Sequence, residues 1–133
     1  MVRATDLASV GIDAEPDLPL PDGVLDAVFL PGEAARLRRL AEERPEVHWD
    51  RLLFSAKESV YKAWFPLTGR WLDFSEADIE VLVGPGRPRH GGFRAELLVP
   101  GPVVGGRRLA HFEGRWTVQR GLVATAVTVP HTT

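Results

Sequence analysis

Apolar and polar residues alternate one by one from Leu7, with Ala8, Val10, Ile12 and Ala14 on one face and Ser9, Gly11, Asp13 and Glu15 on the other. A period of two predicts a half-buried strand, ending at Pro16. Prolines fix φ and remove backbone donors along residues 16–23, which are expected to run as an extended loop. The period then lengthens. Val24 to Leu30 reads as a short helix, and Glu33 to Arg44, with Ala34, Leu37 and Ala41 at helical spacing, reads as a surface helix stopped by Pro45. Trp49 to Phe65 is the longest periodic element. Leu53, Ala56, Val60, Ala63 and Trp64 make one apolar stripe, and Phe54, Glu58, Tyr61, Lys62 and Phe65 make a second face. A helix apolar on more than one side is expected to be central and largely enclosed, with Pro66 and Gly69 ending it.

Beyond that helix the alternation returns. Strands are predicted over Asp78 to Val83, Phe93 to Val99, Leu109 to Phe112, Arg115 to Gln119 and Leu122 to Val129. Glu113-Gly114 and Arg120-Gly121 are short enough to be hairpin turns, while Gly84 to Gly92 and Pro100 to Gly106 are longer separators. The order strand, helices, strand meander implies an α+β fold, a mainly antiparallel sheet packed on a long central helix. No internal repeat is visible.

Bulk properties narrow the function. The chain has 133 residues, enough for one domain spanning 1–133, and its formal net charge is -2 with a pI near 6.1. That balance gives no basic excess of the kind nucleic-acid binding requires. There is no cysteine, so no disulfide or thiolate metal site, and a cytoplasmic protein is the expectation. Met1 to Asp6 lacks a leader's apolar stretch, and no apolar run approaches a membrane span, so no membrane partner is expected.

Candidate chemistry concentrates in two places. Residues two apart on a strand point the same way, so Asp13 and Glu15 can reach one cation, with Gly11 on that face expected to leave room for a ligand. On the long helix Glu58 and Lys62 are an i,i+4 pair. Such a pair ordinarily marks a solvated face, and an Asp-x-Glu strand end is common by chance. Here Phe54, Tyr61 and Phe65 flank the pair, and charge on a mostly enclosed helix is costly unless paired or used. If helix and strand pack together, three carboxylates and a lysine converge. Oxygen donors of this kind suit Mg²⁺, or Mn²⁺, with a phosphate ester.

At these residues the chain resembles the 4'-phosphopantetheinyl transferases. Gly11-Ile12-Asp13-Ala14-Glu15 is similar to that family's Gly-x-Asp-x-Glu motif, and Phe54-Ser55-Ala56-Lys57-Glu58-Ser59-Val60-Tyr61-Lys62 to its aromatic-x-x-Lys-Glu-x-x-x-Lys motif. The resemblance runs from about Leu7 to Val129 and implies transfer of the phosphopantetheine arm of coenzyme A to a serine of an acyl or peptidyl carrier protein. It implies that Asp13, Glu15 and Glu58 bind Mg²⁺, that Lys62 and Lys57 contact phosphate oxygens, and that Glu58, a metal-bound water or Glu33 takes the serine proton. Glu33 has a simpler role available, as an acidic residue at a helix start.

The match covers the metal-binding half of the larger, secondary-metabolism type, in which two similar halves share the site. The Gly-Ser-x-x-His motif and the basic residues of the first half have no counterpart here. A homo-oligomer or a missing N-terminal half is therefore implied, as in the small single-half holo-acyl-carrier-protein synthases. The alternative is a non-catalytic half-domain or truncated fragment that binds a carrier protein or a partner half. A metal-dependent phosphoesterase would leave the lysine motif unexplained.

Other residues read as structural. The Gly84 to Gly92 stretch lacks a phosphate-loop arrangement and is expected to be a mobile hairpin loop. Arg107 and Arg108 read as a solvated strand end. His48, His90, His111 and His131 lack ligand spacing. Trp49, Trp64, Trp71 and Trp116 read as core or interface anchors, one or more of them exposed.

Overall fold

In a computed structural model of the chain, residues 7–84, 86 and 89–131 are described. Met1 to Asp6, and Pro85, Arg87 and Pro88 of the glycine-rich loop, lie outside the described residues. The elements are β1 (Leu7–Pro16), α1 (Val24–Val28), α2 (Pro31–Glu43), α3 (Trp49–Thr68), β2 (Ala77–Val83), β3 (His90–Leu97), β4 (Val103–Val104), β5 (Arg107–Arg108), β6 (His111–Gln119) and β7 (Leu122–Pro130). A 3₁₀ turn, Phe74–Glu76, leads into β2. β1, β7, β6, β3 and β2 form one antiparallel sheet in that order, with α3 across the face of β1 and β7. The α+β expectation holds. β4 and β5 make a small separate hairpin around the stretch expected to be a plain connection.

The core lies between α3 and the sheet. Leu52, Leu53, Ala56, Val60, Ala63 and Trp64 meet Phe93, Trp116, Val118, Val123 and Val127, all nearly free of solvent contact. Each large apolar side chain buried this way contributes about 1.5–3 kcal/mol. Trp49 and Trp116 stack edge to face at 5.5 Å. Ser55 and Thr125 share a buried hydrogen bond of 2.9 Å that ties α3 to β7.

Two departures from the sequence pattern have physical reasons. β6 runs unbroken through Glu113-Gly114, because Gly114 sits opposite Phe93, and an added Cβ would stand 2.1 Å from the Phe93 Cζ. That glycine makes space for a ring instead of a turn. Arg120 and Gly121, at φ 54° and 77°, do form the expected turn between β6 and β7. α3 continues through Pro66 to Thr68, since a proline in the last turn removes a single amide bond, and Gly69 at φ 64° closes it by donating to the Phe65 carbonyl at 2.8 Å.

β1 holds the largest surprise. Its polar face, Ser9, Gly11 and Asp13, turns inward against α3, while Val10 and Ile12 point out, 42% and 63% exposed. The reason is clearance. A Cβ on Gly11 would lie 1.9 Å from the Ser59 carbonyl oxygen and 2.6 Å from the Ala63 nitrogen. Gly11 therefore lets helix and strand touch backbone to backbone and leaves no ligand room of its own, contrary to the expectation. Ser9 Oγ, on the same face, donates to the Ala63 carbonyl at 2.8 Å.

Candidate active site

Close contact between β1 and α3 brings the two sequence motifs together. Asp13 is buried at 7% exposure, and Lys62 Nζ donates to its Oδ1 at 2.8 Å. Its Oδ2 is buried without a hydrogen-bond partner among the described residues. Glu15, two residues on, lies beside Asp13 and pairs through Oε1 with Arg51 Nη1 at 3.3 Å. Burial first, then the neighbouring Asp13 carboxylate, push the Glu15 carboxyl above its ordinary range, while Arg51 pulls it down. Glu58 is likewise raised, mainly by burial and then by Asp13, against the pull of Lys62. The Asp13 hydrogen bond in turn raises the Lys62 ammonium.

Asp13, Glu15, Glu58 and Lys62 thus form one electrostatic cluster, held by an edge strand and a rigid helix. Among the described residues, no three His, Cys, Asp or Glu side chains are gathered closely enough to stand as a finished metal site. Next to the cluster is a cavity of about 130 Å³ lined by Glu58, Val60, Tyr61, Trp71, Leu72 and Phe74, among others. Trp71 is 69% exposed and packs on Tyr61 at 5.0 Å between ring centres.

Glu33 and Lys57 are placed differently. They pair with each other at 2.9 Å, both almost wholly buried. Glu33 Oε1 also accepts from the Leu30 amide and Oε2 from the Ile79 amide, each at 2.8 Å. Lys57 Nζ donates to the carbonyls of Phe74 and Ala77 as well. An ammonium has three N–H bonds, and Glu33, Phe74 and Ala77 use all of them, so Lys57 has none left for a phosphate oxygen. Burial pushes this lysine below its ordinary range despite Glu33. The pair braces the start of α2 and the 3₁₀ turn, which forms one wall of the cavity.

Sequence reasoning missed Arg51. Its guanidinium, 14% exposed, reaches Glu15 and also the carbonyls of Leu18 and Pro19, both at 3.0 Å. No local spacing marks it, since its partners are more than a helix length away along the chain.

Comparison with known proteins agrees with this architecture. The sequence profile of the 4'-phosphopantetheinyl transferase superfamily matches residues 9–95, which include both motifs. The chain belongs to that superfamily. Among its relatives, the 4'-phosphopantetheinyl transferase Svp of Streptomyces mobaraensis is 64% identical over 129 residues, 97% of this chain and 50% of the relative. The 4'-phosphopantetheinyl transferase PptT of Mycobacterium tuberculosis is 48% identical over 125 residues, 94% of this chain and 54% of its own length. Npt of Nocardia iowensis, of the same name, is 50% identical over 122 residues, 90% of this chain and 54% of its own. This superfamily member spans about half the length of the curated relatives it matches. The crystal structure of Thermotoga maritima holo-[acyl-carrier-protein] synthase superposes with a TM-score of 0.59 at 17% identity, over 95% of this chain and 65% of that one, which shows a shared fold. No helix among the described residues is long and apolar enough to cross a membrane.

Proposed function

We propose that the chain supplies the carboxylate and lysine wall of a site that transfers the 4'-phosphopantetheine arm of coenzyme A to a serine of an acyl or peptidyl carrier protein. The observation that carries this is the Asp13–Lys62 contact, which joins both family motifs beside Glu15, Glu58 and the cavity. The donors suit a hard cation. Asp13 Oδ2 is buried and unpartnered, and Asp13 makes ionisation of Glu15 and Glu58 harder, so the site is short of positive charge. Asp13, Glu15 and Glu58 would hold Mg²⁺ or Mn²⁺, which when bound would stabilise charge on the phosphate oxygens.

The protein's own groups account for the rest. Lys62 is half exposed at its tip and can donate to the same phosphate while staying near Asp13. Glu58, whose carboxyl is raised above its ordinary range by burial, is more basic than a free carboxylate and, when ionised, suits the role of acceptor for the serine proton. The serine Oγ forms a bond to the β-phosphorus, and the bond from that phosphorus to adenosine 3',5'-bisphosphate breaks. The narrow cavity between Tyr61, Trp71, Leu72 and Phe74 has room for part of the arm, whose methyl and methylene groups suit its apolar walls. Lys57 lines this cavity while its ammonium is held by Glu33 and the Phe74 and Ala77 carbonyls, and Glu33 acts through it.

Exposed Val10, Ile12 and Leu122 on the outer sheet face favour completion of the site by more protein, from a second copy or an N-terminal half. Coenzyme A as substrate and a chain without cysteine favour the cytoplasm. Mass spectrometry of an apo-carrier protein incubated with the chain, coenzyme A and Mg²⁺, with and without a supplied first half, tests the proposal. Addition of the arm is expected. No addition under either condition refutes it.

A further inference from the structure

We infer that Arg51 is a positioning residue that holds the Glu15 carboxylate in the cation site by anchoring it to the proline-rich loop. The inference rests on the reading of Asp13, Glu15 and Glu58 as that site. Each guanidinium nitrogen has its own acceptor: Nε the Leu18 carbonyl at 3.0 Å, Nη2 the Pro19 carbonyl at 3.0 Å, and Nη1 the Glu15 Oε1 at 3.3 Å. Glu15 is the penultimate residue of β1, and its flexible side chain hangs where strand gives way to loop. Among the described residues its side chain's hydrogen-bond partner is Arg51, and Asp13 is a like-charged neighbour. Without that contact, repulsion from Asp13 favours rotamers that carry Glu15 away into solvent.

The loop carbonyls are themselves fixed, so the anchor is firm. Asp50 Oδ2 accepts from the Leu20 amide at 2.9 Å, and His48 Nδ1 lies 2.8 Å from Asp17 Oδ1. The first turn of α3 thus grips residues 17–20 at several points. Because His48 and Asp50 remain, loss of Arg51 leaves the loop attached at Asp17 and Leu20, while Glu15 and the Leu18 and Pro19 carbonyls lose their donor. Arg51 uses one carboxylate oxygen and leaves Oε2 for a cation, which suits an orienting group better than a competitor. A lysine would keep the charge, but its single nitrogen cannot stand at once in the three places where Nε, Nη1 and Nη2 of Arg51 meet Leu18, Glu15 and Pro19.

The test is Mn²⁺ binding to the 133-residue chain, read from the electron paramagnetic resonance signal of free Mn²⁺, for the parent, Arg51→Lys and Arg51→Met. Removing a partner that orients a metal ligand lowers affinity by about 10–100-fold. Arg51→Met is expected to raise the Mn²⁺ dissociation constant at least tenfold, and Arg51→Lys by less, with far-UV circular dichroism unchanged. Parent-like or tighter Mn²⁺ binding by Arg51→Met overturns the role of Arg51 while the cation site stands. A parent chain that binds no Mn²⁺ at millimolar concentration overturns the cation site itself, and this inference with it. Weakening that only follows loss of the folded signal also overturns it.

Discussion

Gly11→Ala should be far more damaging than its size suggests. The added methyl would stand 1.9 Å from the Ser59 carbonyl oxygen and 2.6 Å from the Ala63 nitrogen, where ordinary contact begins near 3.4 Å. Both atoms are α3 backbone, so no side-chain rotation relieves the clash and β1 must move off the helix. Overpacking of this kind costs about 3 kcal/mol, and loss of the buried Ser9–Ala63 hydrogen bond about 1 kcal/mol more. With about 2.1 cal/mol/K of unfolding entropy per residue, a loss of 4 kcal/mol lowers the melting temperature by about 14 °C. Differential scanning calorimetry measures this directly. Ile12→Ala, one residue along but 63% exposed, is the internal control and should cost under about 1 kcal/mol. A Gly11→Ala melting point within about 3 °C of the parent would refute the account of helix and strand touching at that residue.

Lys57→Met leaves Glu33 buried with a charge and no counter-ion, and urea unfolding should show a loss of about 3–5 kcal/mol, partly restored by adding Glu33→Gln. Lys62→Ala, at a half-exposed tip, should leave the melting point nearly unchanged while arm transfer to a carrier falls about 10²-fold, read by single-turnover mass spectrometry. Glu15 and Glu58 have folded pKa values raised above the ordinary 4.5, so the folded chain binds protons more readily than the unfolded one. Their contribution therefore falls as pH rises through the interval above 4.5. Glu58→Gln should flatten that fall in pH-dependent thermal melts, and a steeper fall in the variant would contradict the assignment.

Much of this arrangement is written in local sequence. The period-two run of β1, the long apolar stripe of α3 and the Arg120-Gly121 turn each declare themselves within a few residues. Long-range contacts do not. Alternation in β1 shows two faces, yet which one turns inward depends on how closely α3 approaches, and apolarity points to the wrong one. Gly114 looks like a turn until Phe93 is placed across from it. Lys57 lies inside a recognisable motif, but its three acceptors come from α2, the 3₁₀ turn and β2, and no spacing along α3 foretells them. Arg51 escapes notice for the same reason.

The pairing of β1 with β7 also sets a timetable. Asp13 lies opposite Thr125 and Glu15 opposite Val123, so the strand bearing both carboxylates is made early and its sheet neighbour late. While the chain is being synthesised, α3 can form as soon as it leaves the ribosome, but β1 has no strand to join until Leu122 to Pro130 has followed. The strand bearing the acidic pair is therefore without its sheet partner until the last of the described strands has been made.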